Sequence, residues 1–426
     1  MAGKKGSITG SFIPLVLIAF ALAASEDRAR YDHYRLYRVQ LVSDEQVRIF
    51  QDLEAKSDSC TFYGHARQPG QELTIMVSAS KVADFEDLLD RFLVSGRVLE
   101  YNMQDMIDSE AKWIKPFEGP DLDWDHYHHL ETIYAWMDEL SAKHSGVTVL
   151  SLGTSYEALP IKGVKLSRRP DNKAIFVEGG IHAREWISPA TATFILNQLI
   201  TSTDPRIVNL ATNYDWFFFP VVNPDGYKFT FEGDRLWRKN RKPYGLCRGV
   251  DLNRNFASNW GGIGSSNDSC SYDFCGGSAF SEPEAEALAN FIRDNAEKER
   301  IRTYIALHSY SQLLMFPYGH TPQKVPNYEH LQSITKTAIS ALTAVHGTSF
   351  QGGSKYETIY PSSGGSIDWA YHEGKIPVSL TFELRGPPDS QDMFILPAEQ
   401  ITPVGEETMA AFVAIVEEAA RLGYYQ

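Results

Sequence analysis

The sequence predicts two folded units in tandem: a small ferredoxin-like α+β domain, then a larger α/β domain with a mixed, mainly buried sheet flanked by helices. Three observations carry this. From about Tyr34 to Met103, strand and helix periodicities follow one another in the order βαββαβ. Beyond residue 147, short continuous apolar runs alternate with stretches of helical spacing, as expected of strands buried on both faces. A polar stretch from Gln104 to Asp125 separates the two patterns.

In the first unit, Arg35 to Val42 alternates apolar and polar residues as a strand does. Ser43 then caps a helix carrying Val47, Phe50 and Leu53, with Gln46 three residues on to complete a capping box. Strand signals follow at Thr61–Tyr63 and Leu73–Val77. A second helical pattern runs through Val82, Phe85, Leu88, Leu89 and Phe92, and Val98 to Met103 reads as the last strand. In the second unit, Val147–Leu152, Ile161–Leu166 and Ala174–Val177 read as strands, as do the apolar runs Tyr214–Val222, Thr303–Leu307 and Val378–Phe382. Ile187–Ile200, Glu284–Arg293 and Pro403–Leu422 read as helices, the first with Ser188-Pro189 suited to its start. There is no internal repeat.

The 426 residues suit two or three domains. The hydrophobic fraction of 43% and charged fraction of 22% are those of a globular chain. A net charge of −14 argues against a nucleic-acid binder, which carries a basic surface. At the N-terminus, Lys4 and Lys5 precede an apolar run from Phe12 to Ala24 that ends in small residues. This is the pattern of a cleaved secretory signal over residues 1–24. No second apolar stretch is long enough to span a bilayer, so a secreted, extracellular protein away from the membrane is expected. Secretion makes the four cysteines disulfide candidates. Cys247 and Cys270 bracket a Gly/Ser/Asn-rich loop that a crosslink would stabilise. The partners of Cys60 and Cys275 stay open, and Asn267-Asp268-Ser269 is a glycosylation sequon.

Chemistry enters at Ile181-His182-Ala183-Arg184-Glu185-Trp186, which follows the strand Ala174–Val177 and a Gly179-Gly180 turn and precedes a helix. Ligands bind beyond the carboxyl ends of strands in open α/β sheets. An imidazole and a carboxylate three residues apart on a turn can share one ion, and both suit zinc. His308, just after the strand Thr303–Leu307, is the best third ligand. Three protein ligands leave a coordination position open, as catalytic zinc requires. Alone, each is a weak signal.

Read together, five strings are specific: His182-Ala183-Arg184-Glu185-Trp186, Asp251-Leu252-Asn253-Arg254-Asn255, His308-Ser309-Tyr310-Ser311-Gln312, Gly364-Gly365-Ser366-Ile367-Asp368-Trp369 and Thr381-Phe382-Glu383-Leu384-Arg385. In order and spacing they resemble the motifs of pancreatic-type zinc procarboxypeptidases, and the N-terminal unit resembles that family's activation segment. The resemblance implies an eight-stranded mixed sheet and one Zn2+ per chain. It also implies a division into an activation propeptide with its connecting segment over 25–112 and a catalytic domain over 113–426.

Residue by residue, the resemblance makes His182, Glu185 and His308 the zinc ligands, Glu383 the general base and Arg238 the cation that stabilises the oxyanion. Asn253 and Arg254 would hold the substrate's terminal carboxylate, and Tyr360 would close over it. Arg184 and Tyr310 would line neighbouring subsites. Ile367 falls at the base of the side-chain pocket, with Met315, Gly319, Ile359, Gly365 and Thr381 around it, none of them charged. An uncharged pocket favours aromatic or large aliphatic C-terminal residues, the A-type preference. After Arg385 the chain departs from the family with Gly386-Pro387-Pro388-Asp389, and Lys355, Tyr356 and Glu357 could alter the pocket rim.

Substrates would then be peptide and protein C-termini, removed by a monomer. The N-terminal unit would cover the cleft until a trypsin-like protease cuts the connection. Lys112 is the better site, because Lys115 precedes Pro116. A silent homologue would lack a ligand or the base, and a deacylase of the same fold need not keep Asn253 and Arg254. Neither loss occurs here.

Overall fold

The computed structural model describes residues 28–298, 300–386 and 392–426. The apolar leader at residues 1–24 and the Pro387-Pro388-Asp389 departure lie outside the described residues.

The first domain has the expected order: β1 (Arg35–Leu41), α1 (Asp44–Lys56), β2 (Cys60–Tyr63), β3 (Gln71–Val77), α2 (Val82–Arg91) and β4 (Ser95–Glu100). Its sheet runs β2-β3-β1-β4, all antiparallel. The cap at Ser43 forms, with Gln46 N–H donating to Ser43 Oγ at 3.3 Å, while Gln46 Oε1 reaches one residue further back than a capping box expects and accepts from Val42 N–H at 2.7 Å. Such a cap stabilises a helix by about 1 kcal/mol. The apolar stripe Val47, Phe50, Phe85 and Leu89 packs onto Tyr37, Val39, Ile75 and Val77 of the sheet.

The last strand ends at Glu100 rather than reaching Met103. Met103 opens a helix, α3 (Met103–Glu110), inside what the sequence suggested was a polar linker. Met103, Met106 and Ile107 have helical spacing, and they pack with Leu36, Leu236 and Phe394 in a cluster shared by both domains.

The second domain holds an eight-stranded mixed sheet. Its strands in chain order are β5 (Val147–Thr154), β6 (Pro160–Leu166), β7 (Lys173–Glu178), β8 (Tyr214–Phe219), β9 (Ile301–His308), β10 (Leu313–Phe316), β11 (Gln351–Ser354) and β12 (Val378–Glu383). Across the sheet the order is β11-β10-β12-β9-β7-β8-β6-β5. The central strands β12, β9, β7 and β8 are mutually parallel. Alternation along them divides the core into two layers. Ile175, Val177, Trp216, Phe218, Ile305 and Leu307 face one side. There they meet α4 (Leu130–Lys143), α5 (Ile187–Thr201), α6 (Tyr328–His346) and α7 (Ile401–Arg421). Phe176, Phe217, Phe219, Tyr304 and Ala306 face the other, against α8 (Pro283–Asn295) and α9 (Ser366–His372). Several of these elements escaped the sequence reading, among them β10, β11, α4 and α6.

Cys247 and Cys270 are joined by a disulfide, while Cys60 and Cys275 are free thiols. Asn267 is exposed. No helix among the described residues is long and apolar enough to cross a membrane.

Candidate active site and its cover

The parallel strands β7, β9 and β12 end at one edge of the sheet, and the candidate site gathers there. The chain leaving β7 turns at Gly180, where the φ of +61° disfavours any side chain and an added Cβ would come within 3.0 Å of Pro220 O. Ser188, at the start of α5, stitches this turn to the neighbouring strand: it accepts from Gly180 N–H at 3.0 Å and donates to Leu307 O at 2.6 Å. His182 and Glu185 lie on the short segment so fixed. His308 ends β9 and stands in register with Glu383, which ends β12.

His182, Glu185 and His308 are all buried, and one donor atom from each lies within 4.8 Å of the others. His182 Nδ1 is 2.8 Å from Glu185 Oε1 and 3.1 Å from His308 Nδ1, and His308 Nδ1 is 3.2 Å from Glu185 Oε2. The far nitrogen of His182, Nε2, is 3.1 Å from Asp251 Oδ1, the kind of outer partner that fixes a ligand imidazole's orientation and tautomer. Burial, with Arg238 nearby, pushes the His182 imidazole below its ordinary value and keeps it neutral. Burial opposes charge on Glu185, but the two histidines outweigh it and hold the carboxyl well below the usual range. Burial opposes charge on His308, but Glu185 outweighs it and raises that imidazole, which must give up its proton to ligate; two imidazoles and a carboxylate whose donor atoms converge are a set that fits zinc.

Around the triad, Asp251 organises the cations. It accepts from Arg238 Nε at 3.1 Å and Nη2 at 2.8 Å, and from the Asn253 backbone N–H at 2.9 Å. Arg238 Nη1 lies 3.6 Å from Glu185, so its guanidinium faces the triad. Desolvation of Glu383, opposed by His308 and reinforced by negative Glu185, pushes its carboxyl up to about 7. Arg254 is buried; Nε donates to Gly264 O at 2.7 Å and Nη1 to Asn253 O at 3.0 Å. Its Nη2 is buried with no partner among the described residues. Asn253 Oδ1 accepts from Ser366 N–H at 2.9 Å, which fixes that amide beside the arginine.

One cleft of about 500 Å³ joins these groups. It is lined by His182, Arg184, Glu185, Arg238, Asn253, Arg254, Tyr310, Lys355, Tyr360 and Glu383. Ile367 is not part of this lining. It lies on α9, 3% exposed, in the core layer with Phe256 and Trp369. The sequence reading passed over Asp251 as a hub, although it opens the Asp-Leu-Asn-Arg-Asn string. It also placed Lys355 only at the rim, whereas Lys355 is a buried wall residue.

The first domain closes the cleft. Arg38, Tyr63, His65, Arg67 and Leu73 share its lining. Arg67 Nη2 donates to Pro361 O at 3.4 Å, with its guanidinium 5.3 Å from the Tyr360 ring centroid. The guanidinium of Arg184 sits 5.3 Å from the Tyr63 ring centroid. His65 Nε2 is 3.1 Å from the Tyr272 hydroxyl. At the far end, Glu110 of α3 and Arg235 form a fully buried ion pair, with Arg235 Nη2 donating to Glu110 Oε1 at 2.8 Å. Past it, Lys112 is exposed, while Lys115 is held by Asp121 and Asp123, each at 2.9 Å.

Comparison with known proteins agrees with this architecture. Residues 133–411 match the zinc carboxypeptidase family model, and residues 37–110 match the carboxypeptidase activation peptide. Zinc carboxypeptidase A 1 of Anopheles gambiae is 44% identical over 415 residues, covering 96% of this chain and 95% of that protein. The crystal structure of thrombin activatable fibrinolysis inhibitor is similar with a TM-score of 0.84 at 32% identity, covering 92% of this chain and 100% of that one. That of carboxypeptidase A from Helicoverpa armigera gives 0.83 at 30%, covering 92% and 99%.

Proposed function

This chain belongs to the zinc carboxypeptidase family and carries that family's activation peptide, and on that premise we propose a residue-level reading of its activity. It is a metallocarboxypeptidase, synthesised as a zymogen. In our reading His182, Glu185 and His308 hold one Zn2+. When bound, the metal would supply Lewis acidity for attack on the scissile carbonyl. Glu383 takes the proton from the attacking water and returns it to the leaving amine. Arg238, fixed by Asp251, meets the negative charge that develops on the carbonyl oxygen. Arg254 and Asn253 receive the substrate's terminal carboxylate, with Tyr360 closing over it, while Arg184 and Tyr310 contact residues further along the peptide.

The observation that carries the exopeptidase reading is the unpartnered, buried Nη2 of Arg254 in the cleft that holds the triad. A buried donor without a partner costs about 1–3 kcal/mol, and a carboxylate would satisfy it. For the removed residue, Ile359 in the cleft wall and the relative named zinc carboxypeptidase A 1 support a preference for aromatic or large aliphatic side chains. We read the protein as a secreted monomer, away from membranes and nucleic acid. A trypsin-like protease would release it by cutting at the exposed Lys112, with residues 25–112 as the propeptide segment.

The test is hydrolysis of blocked dipeptides differing only in the C-terminal residue, before and after trypsin treatment, with and without a chelator. Chelator-resistant hydrolysis would overturn the zinc assignment. Equal rates on a long peptide before and after cutting would overturn the role of the cover.

A further inference from the structure

Lys355 is a charge in the cleft that neither the triad nor the carboxylate clamp uses. It follows β11 directly and opens the short helical turn Lys355–Thr358 that leads to Tyr360. The side chain runs inward: the residue is only 7% exposed, yet it lines the cleft beside Arg254 and Glu383. Two glycines leave the space for it. A Cβ at Gly319 would come within 3.0 Å of its Cδ, and one at Gly365 within 3.4 Å of its Nζ.

Among the described residues no carboxylate lies within ion-pair reach of this ammonium. Asp368, the carboxylate that pulls on it most, is engaged elsewhere: it accepts from Gly319 N–H at 2.9 and 3.0 Å and lies 2.8 Å from His320 Nδ1. Burial, with the positive Arg254 nearby, lowers the lysine to about 8 against the pull of Asp368 and Glu383, so it is still mainly protonated at neutral pH. Arg254 and Lys355 are thus buried cations of the cleft with unspent capacity; Arg184, whose Nε also lacks a partner among the described residues, is instead packed against the Tyr63 and Phe394 rings. A substrate ending in an acidic residue offers two carboxylates on one residue.

We propose that Lys355 is a specificity-determining residue that pairs with the side-chain carboxylate of a C-terminal glutamate, making acidic C-termini a second substrate class beside the apolar one. This rests on the exopeptidase reading above and extends it. The methylenes of glutamate suit the wall formed by Ile359, and its carboxylate would pair with an ammonium that has no carboxylate partner among the described residues. An aromatic side chain remains acceptable, because a ring face accepts an ammonium.

The test uses the full-length zymogen activated with trypsin and four blocked dipeptides ending in Phe, Glu, Gln or Arg. The wild type is expected to cleave the Glu substrate at least tenfold better, in kcat/KM, than its neutral isostere Gln. In Lys355→Met the Glu-to-Phe ratio of kcat/KM falls at least tenfold, and Lys355→Arg restores most of it. Lys355→Glu moves the preference toward C-terminal Arg. A wild type that cleaves Phe but treats Glu no better than Gln overturns the proposal without any variant. An unchanged Glu-to-Phe ratio in Lys355→Met also overturns it. Both outcomes leave the exopeptidase reading standing. Failure to cleave any substrate, or cleavage that survives chelation, removes that reading and the proposal with it.

Discussion

Replacing Arg254 with Met separates recognition of the chain terminus from the chemistry. The guanidinium is 2% exposed, and two of its nitrogens are bonded to backbone carbonyls. Only Nη2 is left for substrate. A hydrogen bond to a charged group contributes about 1.5–3 kcal/mol. At about 1.4 kcal/mol per decade, its loss lowers kcat/KM on a free C-terminal acid by roughly 10- to 150-fold. The same substrate as a C-terminal amide offers only a neutral carbonyl to that donor and should change far less. The assay is therefore the ratio of kcat/KM for acid and amide, wild type against variant, with zinc content measured to show that the metal site survives. The ratio should contract by the factor above. If acid and amide fall together, or the ratio holds, Arg254 is a structural cation and the carboxylate clamp is misassigned.

Glu383→Gln should lower kcat by about 10²- to 10⁴-fold with a smaller change in KM and zinc still bound, as expected of a lost general base. His182→Ala or His308→Ala should yield folded protein depleted of zinc, measured by elemental analysis, whereas dialysis against a chelator should remove activity that added zinc restores. Stability should depend on pH through Glu284, which burial raises to about 7 although the Tyr156 amide and Asn240 donate to it at 2.9 and 3.0 Å. Its folded value lies above the unfolded value of about 4.3, so its contribution is full below about pH 4, declines as pH rises, and is gone above about 7. Glu284→Gln should therefore flatten the fall in thermal midpoint between pH 5 and 8; a wild type that gains stability over that range would contradict the sign. Lys112→Gln should slow trypsin activation, read as the delay before activity appears.

Much of the fold was legible because strand runs and helix stripes have different periods. Tyr214–Phe219 and Ile301–His308 are apolar on both faces because both faces are covered, and they read as buried strands. β11, Gln351–Ser354, is an edge strand of Gln, two Gly and Ser, held by backbone pairing with β10, and it carries no apolar signal. α6 lacks a side-chain cap at Asn327, and its start escaped the sequence. The triad was legible because its ligands sit at strand ends inside recognisable strings. Asp251's role was not, since one carboxylate meeting His182, Arg238 and Asn253 at once is a property of distances between segments. Ile367 and Lys355 show the same limit: sequence position assigns Ile367 to the pocket base and Lys355 to its rim, but only side-chain direction decides which one lines the cleft.

The buried pair between Glu110 and Arg235 bears on how the enzyme is switched on. A cut after Lys112 falls two residues beyond Glu110, so the severed segment retains this anchor and its share of the cluster around Phe394. Cleavage and unmasking are then two events with different kinetics. The first is set by protease; the second is a dissociation, and it answers to dilution. If the cut falls at Lys112 as proposed, the expected outcome is a lag between cleavage and activity that shortens on dilution, measured by assaying samples cut at high and low protein concentration.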